Sequence, residues 1–380
     1  MTVYLIMFFL AALTGIISTY FSQNQISESL ILEKRYIDIN TLFSRIFLWI
    51  SALPFLYVAG ARYRVGTDYD VYLNLQIPQL LRGVDYKLEY EYLYQLLIKF
   101  GVSLGNTQWV FILTHVVFLF FLWKSIQDLS TNKAMSIFIF MFGSFYNLSL
   151  NTMRQFIAMA VFMYALKHIF NRNFIKYFLW ITVAFMFHKT AILFLPLYFL
   201  PRLKINDYLG VALVPLSMVL SEIIRKIIVK LTSVIGIYSS YFSGQFDVHV
   251  IQWVFLLFNM CILCLIIAMR KFLDNTNSED VFRNTIITVK NRGVFETTLF
   301  NLQLLATIIS AISSIIPNST RIIFMFSIGQ IIYVPYLLSK LKNKNTRNIL
   351  TVVICLIYII MFVQIIVRRN MGQTLPYNFI

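Results

Sequence analysis

The sequence predicts an all-α polytopic membrane protein with about twelve transmembrane helices. Three observations carry this. Apolar residues make up 59% of the 380 positions and charged ones only 13%, against roughly 25% charged in soluble domains. Mean hydropathy is +0.74. Apolar runs of about 20 residues, enough to cross a ~30 Å hydrocarbon core, recur from one end of the chain to the other.

The first run, "MTVYLIMFFLAALTGIISTYF", has no basic leader and is too long for a cleavable signal. It reads as a span that starts outside. Further spans are expected near 42–61, 107–123, 134–150, 152–169, 174–188, 189–200, 208–224, 250–269, 294–316, 320–339 and 348–367. The stretch 189–200 is short and holds Pro196, so a re-entrant segment or a continuation of the preceding span fits equally. The whole chain, 1–380, reads as one transmembrane domain.

Lysine and arginine orient the spans, because cytoplasmic loops retain cations. With both termini outside, every inner loop holds at least two, including Arg45, Lys124, Lys133, Lys167, Arg202, Lys204, Arg270, Lys271 and Lys340. A net charge of +16 without a soluble basic domain excludes a nucleic-acid binder. It leaves membrane lipid and phosphate-bearing substrates as partners. Cys261 and Cys264 lie inside an apolar run with no soft ligand nearby, so they read as packing thiols. No metal site and no cofactor are expected.

Two longer outer segments stand out. The first, 62–105, opens with "RYRVGTDYDVY" and continues as "YKLEYEYLYQLLIKF". Helical spacing of Leu88, Tyr92, Leu96 and Lys99, with Tyr86, Tyr90 and Tyr94 close by, predicts an interfacial helix with an aromatic belt. The second, 222–249, begins "EIIRKIIVKL", which sets Glu222, Arg225, Lys226 and Lys230 largely on one helical face. The aromatic and hydroxyl side chains that follow suit either sugar rings or a membrane interface.

The polar residues expected at outer span ends form a short set. They are Arg62, Arg64, Asp68 and Asp70; Asn147, Asn151, Arg154 and Gln155; His188 with Lys189; and Arg321 after the capping pair Ser319–Thr320. Positions 147, 151 and 154/155 share a face if their helix is continuous. An arginine at a helix centre costs roughly 2.5–3.5 kcal/mol in a membrane, and one at a span end avoids part of this by snorkelling. Several such sites on one side nevertheless point to a shared anion-binding cavity, since guanidinium forks match phosphate oxygens in pairs. Asp70 reads as a solvated partner of Arg62 or Arg64. Asp68, after the Gly66–Thr67 turn, is the better candidate to accept a proton from a sugar hydroxyl. His188 has no His or Cys companion at ligand spacing.

"RYRVGTDYDVY", then "NTMRQFIAMAVFMYALKHIFNRNFIKYFLWITVAFMFHKTAILFLPLYFL", "RIIFMFSIGQIIYVPYLL" and the closing Pro376–Tyr377 together resemble the EpsG family. Its members are polytopic proteins of exopolysaccharide and capsule clusters, regarded as Wzy-type polymerases. The resemblance implies a GT-C-like fold in the cytoplasmic membrane of a bacterium, with the active site facing outside. It implies inverting transfer of a growing chain from polyprenyl diphosphate to the next polyprenyl-diphosphate-linked oligosaccharide. A flippase and a chain-length regulator would be the protein partners. Asp68 or His188 would be the base. Arg62, Arg64, Asn151, Arg154, Gln155 and Arg321 would hold diphosphate, and Tyr69 and Tyr72 would line the sugar path. Two rivals remain. A flippase should show pseudo-repeated halves and polar residues through the full depth, whereas this cluster is one-sided. A ligase or acyltransferase is the other, and acyl transfer would want a His–Asp type dyad that His188 alone does not supply.

Overall fold

A computed structural model describes residues 1–23, 39–84, 91–235, 242, 250–271 and 291–380. Among these, seven helices are long and apolar enough to cross a membrane, and three shorter apolar helices fall where further spans are expected. Tyr86, Leu88 and Tyr90, the aromatic half of 222–249 and most of the 271–293 loop lie outside the described residues. The described residues pack as two compact units. One comprises the described residues within 1–198, 291–292 and 358–380, the other those within 199–271 and 293–357.

The first unit contains α1 (Thr2–Gln23), α2 (Ile39–Ile50), α3 (Leu53–Gly60), α4 (Tyr92–Ser103), α5 (Gln108–Leu129), α6 (Lys133–Phe142), α7 (Phe145–Ser149), α8 (Met153–Phe170) and α9 (Phe174–Phe187). Local chemistry sets the breaks. Pro54 opens α3 in its first turn, where a missing N–H costs nothing. Asn132 and Asn173 cap α6 and α9 by accepting from Met135 N and Lys176 N, each at 3.0 Å. Ser144, at φ 64°, divides α6 from α7.

The core is aromatic. Phe55, Phe118, Trp123, Phe140 and Tyr146 meet mostly edge to face, with centroids 5.0–6.0 Å apart. Each polar tip finds a partner. Trp123 Nε1 donates to Leu48 O at 2.8 Å and Tyr146 OH to Phe55 O at 2.9 Å.

The two ends of this unit differ in chemistry. At the end of α1 near Tyr4, whose hydroxyl donates to Thr374 O at 3.0 Å, lie the segment Arg62–Gln76 and the C-terminal residues. About 21 Å further along α1, Ser18 bonds Ser44 and Thr19 accepts from Ala134 N. There Lys133 donates to Ser44 Oγ at 2.6 Å. Lys124 and Lys167 share Asp128 at 2.8 and 3.4 Å. Lys124, Lys133 and Lys167, assigned to inner loops by sequence, therefore lie away from the Tyr4 end.

The stretch after α9 is not an α-helical span. Lys189–Arg202 forms a 3-10 helix. Pro196 and Pro201 remove two donors from any α ladder there. At about 2.0 Å per residue, its length reaches roughly 28 Å, so a stretch too short for an α-helical crossing gains length from the tighter coil.

The second unit contains α10 (Asp207–Val219), α11 (Ser221–Ile235), α12 (Trp253–Lys271), α13 (Arg292–Ala311), α14 (Ser319–Ser327) and α15 (Gln330–Lys340). The amphipathic α11 turns Ile224 and Ile228 onto Ile312, Ile315 and Ile316. Inside the unit, Gln330 Nε2 donates to Asn259 Oδ1 at 3.1 Å and to Gln303 Oε1 at 2.8 Å. Such amides fix helix register where no water can replace a lost partner.

Candidate functional site

The Tyr4 end of the first unit gathers most of the polar residues expected at a site. Arg62–Thr67 has no helix or strand of its own, so its backbone needs outside partners. The C-terminal residues supply them. Tyr63 N donates to Asn378 O at 2.9 Å, Gly66 N to Gln373 O at 3.0 Å and Thr67 N to Gly372 O at 3.0 Å.

Arg62 is fully buried. Its Nη1 donates to Leu150 O at 2.5 Å and Val65 O at 3.3 Å, and its guanidinium lies 5.1 Å over Phe111 and 5.6 Å over Tyr69. Tyr69 stacks on Phe111 at 4.6 Å and donates to Gln108 Oε1 at 3.1 Å. Both were expected to face substrate. Both sit instead in the wall that supports the loop, because a non-helical segment leaves inward carbonyls that a five-donor guanidinium can satisfy. Arg64 is exposed. It pairs with Asp70 at 3.5 Å, which makes Arg64, not Arg62, the partner of Asp70.

Asn151 holds this loop to α8. Its Oδ1 accepts from Thr67 Oγ1 at 3.1 Å and from Asp68 N at 3.4 Å, and its Nδ2 donates to Gly372 O at 3.0 Å. The half-buried Asp68 carboxylate, 3.1 Å from Thr67 Oγ1, competes for that single hydroxyl proton. Gly66 and Gly372 flank the amide at φ 103° and 79°. A Cβ on Gly66 would lie 2.6 Å from Asn151 Oδ1, and one on Gly372 would overlap its Nδ2. Either Gly→Ala exchange is therefore expected to displace Asn151 and loosen Thr67–Asp68, with a cost on the order of 1–3 kcal/mol for the forced backbone alone. Thermal unfolding of the purified variants checks this. A wild-type melting temperature for Gly372→Ala would mean that the strap is not held by this contact.

The expected common face of Asn147, Asn151 and Arg154 does not form. α7 ends at Ser149 and α8 begins at Met153. The break lets each residue serve a different partner. Asn147 donates to Thr374 Oγ1 at 3.0 Å, Asn151 holds the loop, and Arg154 reaches α4.

There it meets Glu91, which no sequence argument singled out. Glu91 is the residue before α4, and its carbonyl accepts from Tyr94 N and Gln95 N at 3.0 Å. Its side chain is 1% exposed. Oε2 accepts from Arg154 Nη1, and Oε1 lies 2.5 Å from His188 Nδ1. Tyr72 hydrogen-bonds the same guanidinium, which also lies 5.9 Å over Tyr94. Arg154 from α8 and His188 from the end of α9 thus converge on one carboxylate, with Tyr72 and Tyr94 around the guanidinium. Burial by itself would push Glu91's pKa up, but the charges and hydrogen bonds of His188 and Arg154 outweigh it and hold the carboxyl below its ordinary value. The signal available in sequence was the need itself: a partly buried arginine and histidine require a nearby anion.

Gln155 is buried in α8 beside Arg154. Arg321 lies in the second unit, exposed in the first turn of α14 behind Asn318 at φ 51°. Among the described residues no group of three or more His, Cys, Asp or Glu side chains gathers.

A family comparison matches residues 45–379 to the EpsG family. No curated protein and no solved structure matched the chain.

Proposed function

The chain belongs to the EpsG family, and from that premise we propose that it is a polysaccharide polymerase joining polyprenyl-diphosphate-linked repeat units. The observation that supports this best is Glu91 buried between Arg154 and His188. The pairing holds a base and a phosphate-matching cation on one anchor. Glu91 fixes His188 through Nδ1, which leaves Nε2 as the nitrogen to take a proton from the acceptor sugar hydroxyl. That oxygen bonds the anomeric carbon while the bond to diphosphate breaks. The electron pair leaves with the diphosphate, and the anomeric configuration inverts. Arg154, oriented by Glu91 and Tyr72, offsets the developing charge, and Arg64 supplies a second cation at the rim. Asp68 orients the acceptor. Arg62 and Tyr69 belong to the scaffold.

The Glu91–His188 pair also meets the requirement of an acyl-transfer reading. One assay separates the two. Purified protein with lipid-linked repeat units, in chelator and without an acyl donor, is expected to yield polymer. Product only when an acyl donor is added would establish acyl transfer, and activity restored only by a divalent cation would assign a metal role to Asp68 and Asp70. Detergent solution has no two compartments, so a flippase would give no product.

The site faces outside on the cation-based orientation. In a cysteine-free background, an impermeant thiol reagent on intact cells is expected to label a cysteine at Asn74 but not one at Asn343. The reverse pattern would invert the topology.

A further inference from the structure

Within the second unit, α10 and α12 leave a groove of about 650 Å3. Val211, Pro215, Met218, Leu257, Met260 and Ile267 line it. Asp207, Tyr208 and Lys271 lie at one end, where α10 begins and α12 stops. From Asp207 to Met218 the lining runs about 16 Å along α10, close to the ~15 Å depth of one leaflet's hydrocarbon.

The charged residues of the unit at and near this end are unequal. Arg270 is held by Asp207 at 2.9 Å, and Lys340 by Glu296 at 2.7 Å. Lys271 is exposed and forms no ion pair among the described residues, and its ammonium lies 5.3 Å over the ring of Tyr208. An interfacial tyrosine beside a cation with no ion pair among the described residues, above an apolar groove one leaflet deep, matches one kind of ligand.

We propose that an anionic glycerophospholipid occupies this groove, with an acyl chain between α10 and α12 and its phosphate against Lys271. The loops at this end are those assigned to the cytoplasmic side by their cations, so the lipid comes from the inner leaflet. A polyprenyl carrier chain is longer than the groove. The site is independent of the polymerase reading.

Native mass spectrometry of the purified full chain, titrated with phosphatidylglycerol or phosphatidylethanolamine, tests it. The wild-type chain is expected to retain one phosphatidylglycerol in preference to phosphatidylethanolamine. Lys271→Gln should weaken phosphatidylglycerol binding about fivefold and leave phosphatidylethanolamine unchanged, while Lys271→Arg keeps the preference. Ala212→Trp, which fills the groove, should reduce both. Unchanged phosphatidylglycerol binding in Lys271→Gln would overturn the proposal. So would displacement of that lipid by equimolar polyprenyl phosphate, which would make the carrier the occupant.

Discussion

Glu91→Gln is expected to abolish polymer synthesis and to lower the melting temperature of the purified protein. Gln keeps the shape of the side chain but not its charge, so Arg154 loses its buried counter-ion and His188 its orienting partner. Removing one partner of a buried pair costs about 3–5 kcal/mol. The effect carries a pH signature. Glu91's carboxyl is held below its ordinary value in the folded protein by His188 and Arg154, which outweigh the opposing effect of burial. Its stabilising contribution is therefore complete above the unfolded value of about 4.3. It is lost as pH falls through the lower folded value. Wild-type protein should lose stability on that acid side, and the Gln variant should lack this component. Equal melting temperatures at neutral pH, with identical acid limbs, would remove Glu91 from the centre of the site.

Arg154→Lys is expected to leave a folded, membrane-inserted chain that makes little or no polymer while single repeat units accumulate on their lipid carrier. Lys can snorkel as Arg does, so an anchoring role would make the exchange nearly silent. Arg154 is tied to neighbouring side chains. Its planar fork meets Glu91 and Tyr72 together and lies over Tyr94. An ammonium keeps the charge but not the paired geometry. Loss of one positioned donor typically lowers the rate about 10²–10³-fold. A wild-type chain-length distribution at matched expression would reduce Arg154 to an anchor.

The membrane class was legible in the sequence because hydropathy and span length are additive along the chain. So were the need of Arg154 and His188 for a partner, each costly to bury and each at the end of an apolar run, and the pairing of Asp70 with a neighbouring arginine. The helix caps at Asn132 and Asn173 are equally local, since a side chain bonding three residues onward needs no distant partner.

Only the tertiary structure decided which polar residue faces which. Arg62 and Arg64 are two positions apart and alike in sequence, yet one is buried under Leu150 O and the other is exposed beside Asp70. The break between α7 and α8 sends Asn147, Asn151 and Arg154 to three partners, where helical periodicity expects one face. Glu91 becomes the hub through Arg154, 63 residues away, and His188, 97 residues away. Sequence records the demand of a buried cation for a counter-ion. The choice among the available carboxylates depends on distances that exist only once α4, α8 and the end of α9 have packed together.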